Sequence, residues 1–206
     1  FPISPKQVII GVQNFNDKND TDFEVTIEEQ PLTTYNVWLD AQTRDFFQLA
    51  LVFSQTCGFE AANKSGRLIA SPDKEFKIKY FPIIKDYLSG RSLSTPARIA
   101  HKSGIIEVSK MRFDKYTIPM RMMILLHEYS HKYKNPTMGL PISDEIGADI
   151  NALYIYLGMG FSKVDAIYVY ANVFLNAQTD QNMERMRKIV DYINKFSNEE
   201  FAKRQI

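Results

Sequence analysis

The stretch from Met123 to Leu153, MILLHEYSHKYKNPTMGLPISDEIGADINAL, carries His127, Glu128 and His131 within five positions, then Glu145 and Asp149. The chain has only three histidines, so placing two of them four residues apart beside a carboxylate calls for a reason. On a helix, positions i and i+4 share a face. Two imidazoles so placed can bind one Zn²⁺ at Zn–N distances of about 2.0–2.1 Å. Glu128 lies roughly 100° round the helix from His127, beside such an ion rather than on it. There it can accept a proton from a water that the metal activates. This is the H-E-x-x-H arrangement of metal-assisted hydrolysis. By composition alone the pattern is expected roughly 0.002 times in this chain, so chance explains it poorly. The plain alternative is two core histidines with satisfied hydrogen bonds. Burying two polar rings and a carboxylate with no shared purpose is costly, which weighs against it.

A catalytic zinc takes three protein ligands and keeps one position open. The residues after His131 read KYKNPT, so no further histidine follows at short spacing, and His101 lies before a predicted strand. The third ligand is then a downstream carboxylate: Asp144, Glu145 or Asp149. Glu145 and Asp149 are again i and i+4 and share a face. Glu145 is the expected ligand. Asp149, one turn deeper, is expected to accept the free N–H of a ligating histidine, His127, and fix its tautomer. Asp144 suits the first turn of a helix, where an acid meets the helix dipole.

These residues need elements to hold them. Residues 5–13 and 22–28 read as strands around the polar turn NDKND. Residues 40–57 read as a helix, with Phe46, Leu49 and Phe53 near helical spacing and Gly58 as its stop. Residues 75–81 alternate like a strand, 89–98 (SGRSLSTPAR) read as a loop, and 104–113 as a strand ending near Asp114. From Thr117 the pattern is helical, with Thr117 at the cap and Pro119 in the first turn. MRMMILL is apolar nearly all round, so that helix is expected to be buried. A second helix is expected from Ser143 to about Gly158, and a third from Ser162, with Asp165 completing a capping box. A fourth is expected from Thr179 and a short fifth from Ser197. The run MERMRKIVDYINKF reads as a solvated amphipathic helix or partner surface. Strands precede helices, so the expected class is α+β.

Composition sets the outer limits. With 206 residues, 45% of them hydrophobic, the chain suits one domain with a real core. The formal net charge is +1 and the charges are interspersed, so nothing argues for direct nucleic-acid binding. No transmembrane segment is expected, because no apolar run is long enough. Cys57 is the only cysteine, which rules out an internal disulfide and reads as a small buried residue. The methionines around 111–123 read as core filler. The chain opens FPIS without an initiator Met or signal peptide, which fits a fragment, a processed form or part of something longer; localisation stays open.

HEYSH followed by EIGAD resembles the glutamate-type zinc metallopeptidases, the gluzincins. It is similar to the ExxAD that follows HExxH in M48-type peptidases. The short gap also resembles the ImmA/IrrE-type peptidases. The resemblance covers about residues 97–158. It implies one Zn²⁺ per chain on His127, His131 and Glu145, Glu128 as general base, and Asp149 supporting a histidine. It implies a zincin-like fold: a single domain over 1–206, with a small β-rich lobe at 1–96, a catalytic core at 97–158 and helices at 159–206. It also implies a protein or peptide substrate. In such folds an edge strand beside the active helix pairs with extended peptide. Ile105, Ile106, Glu107 and Val108, on the strand 104–110, are the residues expected to do so. An additional electrophile is expected among His101, Tyr133, Tyr154, Tyr156, Tyr168 and Tyr170. Two rivals share the motif: a zinc-bearing structural component of a larger assembly such as a phage particle, with a vestigial site, and a dedicated protease that cleaves one regulatory partner.

Overall fold

A computed structural model describes residues 39–135, 138–139, 145–175, 177 and 179–203, with side chains as far as residue 196. The strands expected at 5–13 and 22–28, and the expected cap Ser143 with its neighbour Asp144, lie outside the described residues.

The described chain is mixed α and β, in the order α1 (Ala41–Thr56), β1 (Arg67–Ala70), β2 (Lys77–Phe81), β3 (Ala97–Ile99), β4 (Ile106–Ser109), α2 (Lys110–Phe113), α3 (Ile118–Ser130), α4 (Glu145–Gly158), α5 (Lys163–Val169) and α6 (Asp180–Lys203). A 3₁₀ turn, Cys57–Phe59, follows α1, and a π-helical turn, Tyr170–Phe174, follows α5. None of the described helices is long and apolar enough to cross a membrane.

Helix α1 begins where Asp40 accepts a bond from the Thr43 amide at 2.7 Å, meeting one of the donors that a helix start leaves free. It buries Phe46, Phe47, Leu49, Ala50 and Phe53. Cys57, just past its end, is fully buried, and burial pushes its thiol up to about 11. Helix α3 is the axis of the fold. Met122 to Leu126 are all inaccessible to solvent, as its all-round apolar sequence requires. It is wedged between α1, α4 and the sheet: Tyr129 stacks on Phe46 at 4.2 Å and its hydroxyl meets Thr43 Oγ1 at 3.0 Å. Thr117 sits at the cap in extended conformation, but its side chain makes no capping bond.

The four strands lie in the order β1-β2-β4-β3. The β2–β4 pair is parallel and the β1–β2 and β3–β4 pairs are antiparallel. Ile78, Tyr80, Ala97, Ile99, Ile106 and Val108 bury the face turned to the helices. Strand β4 is therefore interior, with a neighbour on each side. This corrects the expected edge position of Ile105, Ile106, Glu107 and Val108. Glu107 in this strand is 7% exposed. Arg98 reaches its carboxylate at 2.7–2.8 Å and the Tyr87 hydroxyl donates to it at 2.5 Å, so a charge that reads as solvent-facing is paired instead.

Among the described residues, the free edge beside α3 belongs to β3, part of which falls in the segment 89–98 that reads as a loop. The Ser109 amide bonds the Pro96 carbonyl and the Ala100 amide bonds the Ile105 carbonyl, both at 2.9 Å. In an antiparallel ladder alternate residues pair, so residues 96, 98 and 100 face β4. The backbone groups of Ala97 and Ile99 point the other way, off the sheet. Gly104, at φ 72°, closes the β3–β4 connection; a Cβ there would come within 2.7 Å of the Tyr133 hydroxyl.

Other boundaries moved too. The expected strand 104–113 ends at Ser109 and turns into α2. The break expected near Ser197 is absent, because α6 runs on unbroken to Lys203. Ser162 caps α5 as expected, accepting from the Val164 and Asp165 amides.

Candidate metal centre

Helix α3 ends at the site. His127 and His131, one turn apart, face each other with Nε2 atoms 3.1 Å apart. Glu145 opens α4 opposite them: Oε2 lies 3.6 Å from His127 Nε2, and Oε1 lies 3.6 Å from His131 Nε2. The three ligand atoms fall within 4.8 Å of one another. Tetrahedral coordination at zinc bond lengths puts ligand atoms roughly 3.3 Å apart. Two imidazole nitrogens and a carboxylate at this spacing fit a divalent transition metal.

Asp149 is fully buried one turn along α4 from Glu145. Its Oδ1 lies 2.9 Å from His127 Nδ1, although the ring N–H is not well aligned on the oxygen. A small ring rotation would complete the bond and leave the Nε2 lone pair for a metal. The Asp149 main chain is pinned as well: its carbonyl accepts from the Tyr170 hydroxyl at 3.0 Å. Phe174, at the end of the π-helical turn, covers the His127 ring at 4.3 Å. Asn151 ties α4 to the end of α3, donating to Ser130 Oγ at 2.8 Å and accepting from the Asn135 amide at 2.9 Å.

Arg185 completes the cluster and was not foreseen. Its Nε and Nη2 clamp Asp149 at 2.8 and 2.9 Å, and Nη2 also lies 3.1 Å from Glu145 Oε2. MERMRKIVDYINKF is thus not solvated all round: Arg185 is 7% exposed and Ile189 fully buried. The only available signal was one arginine on the apolar stripe of an amphipathic helix, and no local spacing says what it meets.

The electrostatics follow from burial and pairing. Burial pulls the His127 ring down, but the Asp149 carboxylate, with Glu128 and Glu145, outweighs it and leaves the ring raised. His131 drops to about 4, from burial first and then the neighbouring His127 and His101, so it offers a free lone pair at neutral pH. Burial raises Glu128 against the pull of His127 and of the Ile99 amide, which its carboxylate faces. Burial also pushes Asp149 up, yet His127 and Arg185 prevail and hold it below 3.8. Its ion pair therefore stabilises the fold fully above the unfolded carboxyl value and is lost as pH falls through the lower folded value.

Arg185→Met should lower stability by about 3–5 kcal/mol, because it strands a buried carboxylate that now depends on His127 alone. Thermal melting of the metal-free protein checks this. A melting temperature unchanged from wild type would mean that Asp149 does not rely on the guanidinium.

The centre opens onto a cleft of about 930 Å³. Strand β3 forms one wall; Val173 and Phe174 of the π-helical turn form another. Of the six residues considered as an additional electrophile, His101 lines the cleft, its ring 5.9 Å from that of His131. The tyrosines are placed elsewhere. Tyr156 and Tyr170 are fully buried, Tyr133 packs against Phe76 and Tyr129, Tyr168 is exposed on α5, and Tyr154 borders a separate small cavity. Comparison with protein-family models, with curated proteins and with solved structures finds no match to this chain.

Proposed function

We propose that this chain is a zinc-dependent peptidase. The observation that carries the reading is the convergence of His127, His131 and Glu145 on one point, at the floor of a cleft walled by a strand edge that has no neighbour among the described residues. When bound there, zinc would supply a Lewis acid that polarises a carbonyl and makes water a nucleophile near neutral pH. The outward backbone groups of Ala97 and the Ile99 carbonyl are the place for an extended peptide to add to the sheet, since the Ile99 amide is directed at Glu128. This role, expected of residues 105–108, passes to β3. Glu128, beside the ligands and facing Ile99, takes the proton of the attacking water and returns it to the leaving amine. Asp149, held by Arg185, keeps the His127 ring oriented. His101, across from His131, is the group positioned to stabilise charge developing on the carbonyl oxygen.

The test is elemental analysis of protein purified without a His tag, paired with cleavage of casein. The expected result is about one zinc per chain and hydrolysis that a chelator stops and added zinc restores. A chain that stays metal-free with zinc in excess would sink the reading.

A further inference from the structure

The cleft has two chemically different ends. His101 and His131 stand at one. At the other, where β3 begins, the Ser109–Pro96 pair joins β3 to the strand that leads straight into α2. Arg112 on α2 and Lys115 just after it line the cleft there, with Ser94, Thr95 and Pro96.

Among the described residues, neither cation has a carboxylate partner. Arg112 is half-buried, and its Nε is shut off from solvent without an acceptor. Lys115 Nζ lies 5.1 Å from the Tyr116 ring centroid. Two described acids on neighbouring segments are engaged. Asp114 takes Lys110 at 3.1 Å and the Tyr80 hydroxyl at 2.6 Å. Glu107 takes Arg98 and Tyr87. Among the described residues, Glu128 and Glu145 are the carboxylates lining the cleft, and both belong to the metal centre. Arg121 shares the unmet Nε, but its Nη1 and Nη2 bond the carbonyls of Ser54 and Asp114, and Arg185 bonds Asp149; no such bond engages the Arg112 fork among the described residues. A guanidinium stays charged at any working pH and presents a planar fork suited to a carboxylate. The Nε itself is out of a ligand's reach, but Arg112 lines the cleft with no carboxylate on its fork among the described residues, which leaves the fork for a carboxylate that enters the cleft.

We propose that Arg112, assisted by Lys115, forms a subsite for a carboxylate of the substrate. This rests on the peptidase reading and adds a substrate class to it. Pro96 is three residues from Ile99, which faces Glu128; that is roughly 10 Å of strand. A peptide laid along β3 has the same rise, so its carboxylate falls about three residues from the bond to be cut. An acidic side chain or a free chain end supplies the same chemistry there.

Binding is read by fluorescence anisotropy on the full-length, zinc-loaded Glu128→Gln variant, which is expected to hold peptide without cutting it. Three labelled probes share a core of alternating valine and threonine. One is end-capped with glutamate three residues either side of its centre, one is the capped glutamine counterpart, and one is that glutamine peptide with a free C-terminal carboxylate. The glutamate probe should bind about tenfold more tightly than its glutamine counterpart. Adding Arg112→Gln should erase the preference, Lys115→Gln should reduce it, and Arg112→Lys should keep part of it. If the free-ended probe gains as much as the glutamate probe, the chain end is the source of the carboxylate. Equal binding of the two capped probes, no binding of any probe, or a preference that survives Arg112→Gln overturns the subsite. Melting curves of the Arg112 variants separate loss of the subsite from loss of the fold. Casein cleavage by the wild type reports on the peptidase reading separately. Cleavage without a glutamate preference removes only the subsite; a preference without cleavage removes only the peptidase.

Discussion

Glu128→Gln should leave zinc content at the wild-type level and lower hydrolysis by about 10²–10⁴-fold, the usual contribution of a positioned acid–base group. The reasoning is geometric. Glu128 is not one of the three converging ligands, so the amide removes a proton acceptor and no donor to the metal. Its carboxylate is 7% exposed and its pKa is raised by burial, so the charged form is carried at a cost. A neutral amide of the same shape relieves that cost, and the melting temperature should not fall. Zinc analysis, melting and casein cleavage on one preparation check all three points. Activity within tenfold of wild type would mean that another group is the base. Zinc loss would mean that Glu128 is a ligand.

Glu145→Ala should weaken zinc binding by more than about 100-fold and remove hydrolysis with it. Losing a partner outside the ligand set typically costs 10–100-fold, and losing a ligand should exceed that. Asp149→Asn therefore serves as the internal scale: its effect should fall in the lower range, because it orients His127 without reaching the metal position. Asp144→Ala should change neither zinc nor activity. The Glu145 side chain is 43% exposed, so the folded state should tolerate its removal. Competition against a chromophoric zinc chelator measures all three variants. An Asp144→Ala variant that loses zinc while Glu145→Ala keeps it would reverse the ligand assignment.

What was legible in the sequence was whatever depends on one helix. His127 and His131 face the same way because four residues make about one turn, and Glu145 and Asp149 do so for the same reason. The structure places all four where that spacing puts them, with Glu128 beside the cluster. The buried character of α3, the capping of α5 and the strand before Pro82 were likewise local signals.

The sequence could not say which strand has a free edge, because pairing is a property of neighbours and not of alternation. The resemblance put residues 105–108 on an edge; among the described strands β3 took that edge, and Arg98 pairs with Glu107. Nor could it say that Arg185, 36 residues beyond Asp149, would hold that carboxylate. No helical period links positions so far apart; only the packing of α6 on α4 brings them together. Arg112 is the same case in reverse. Nothing in KMRF says where its arginine points; the sheet and the turn into α2 bring it to the cleft with no carboxylate partner among the described residues. Local geometry therefore determined which residues could bind a metal. Long-range packing, which fixes burial and charge pairing, decided what surrounds them.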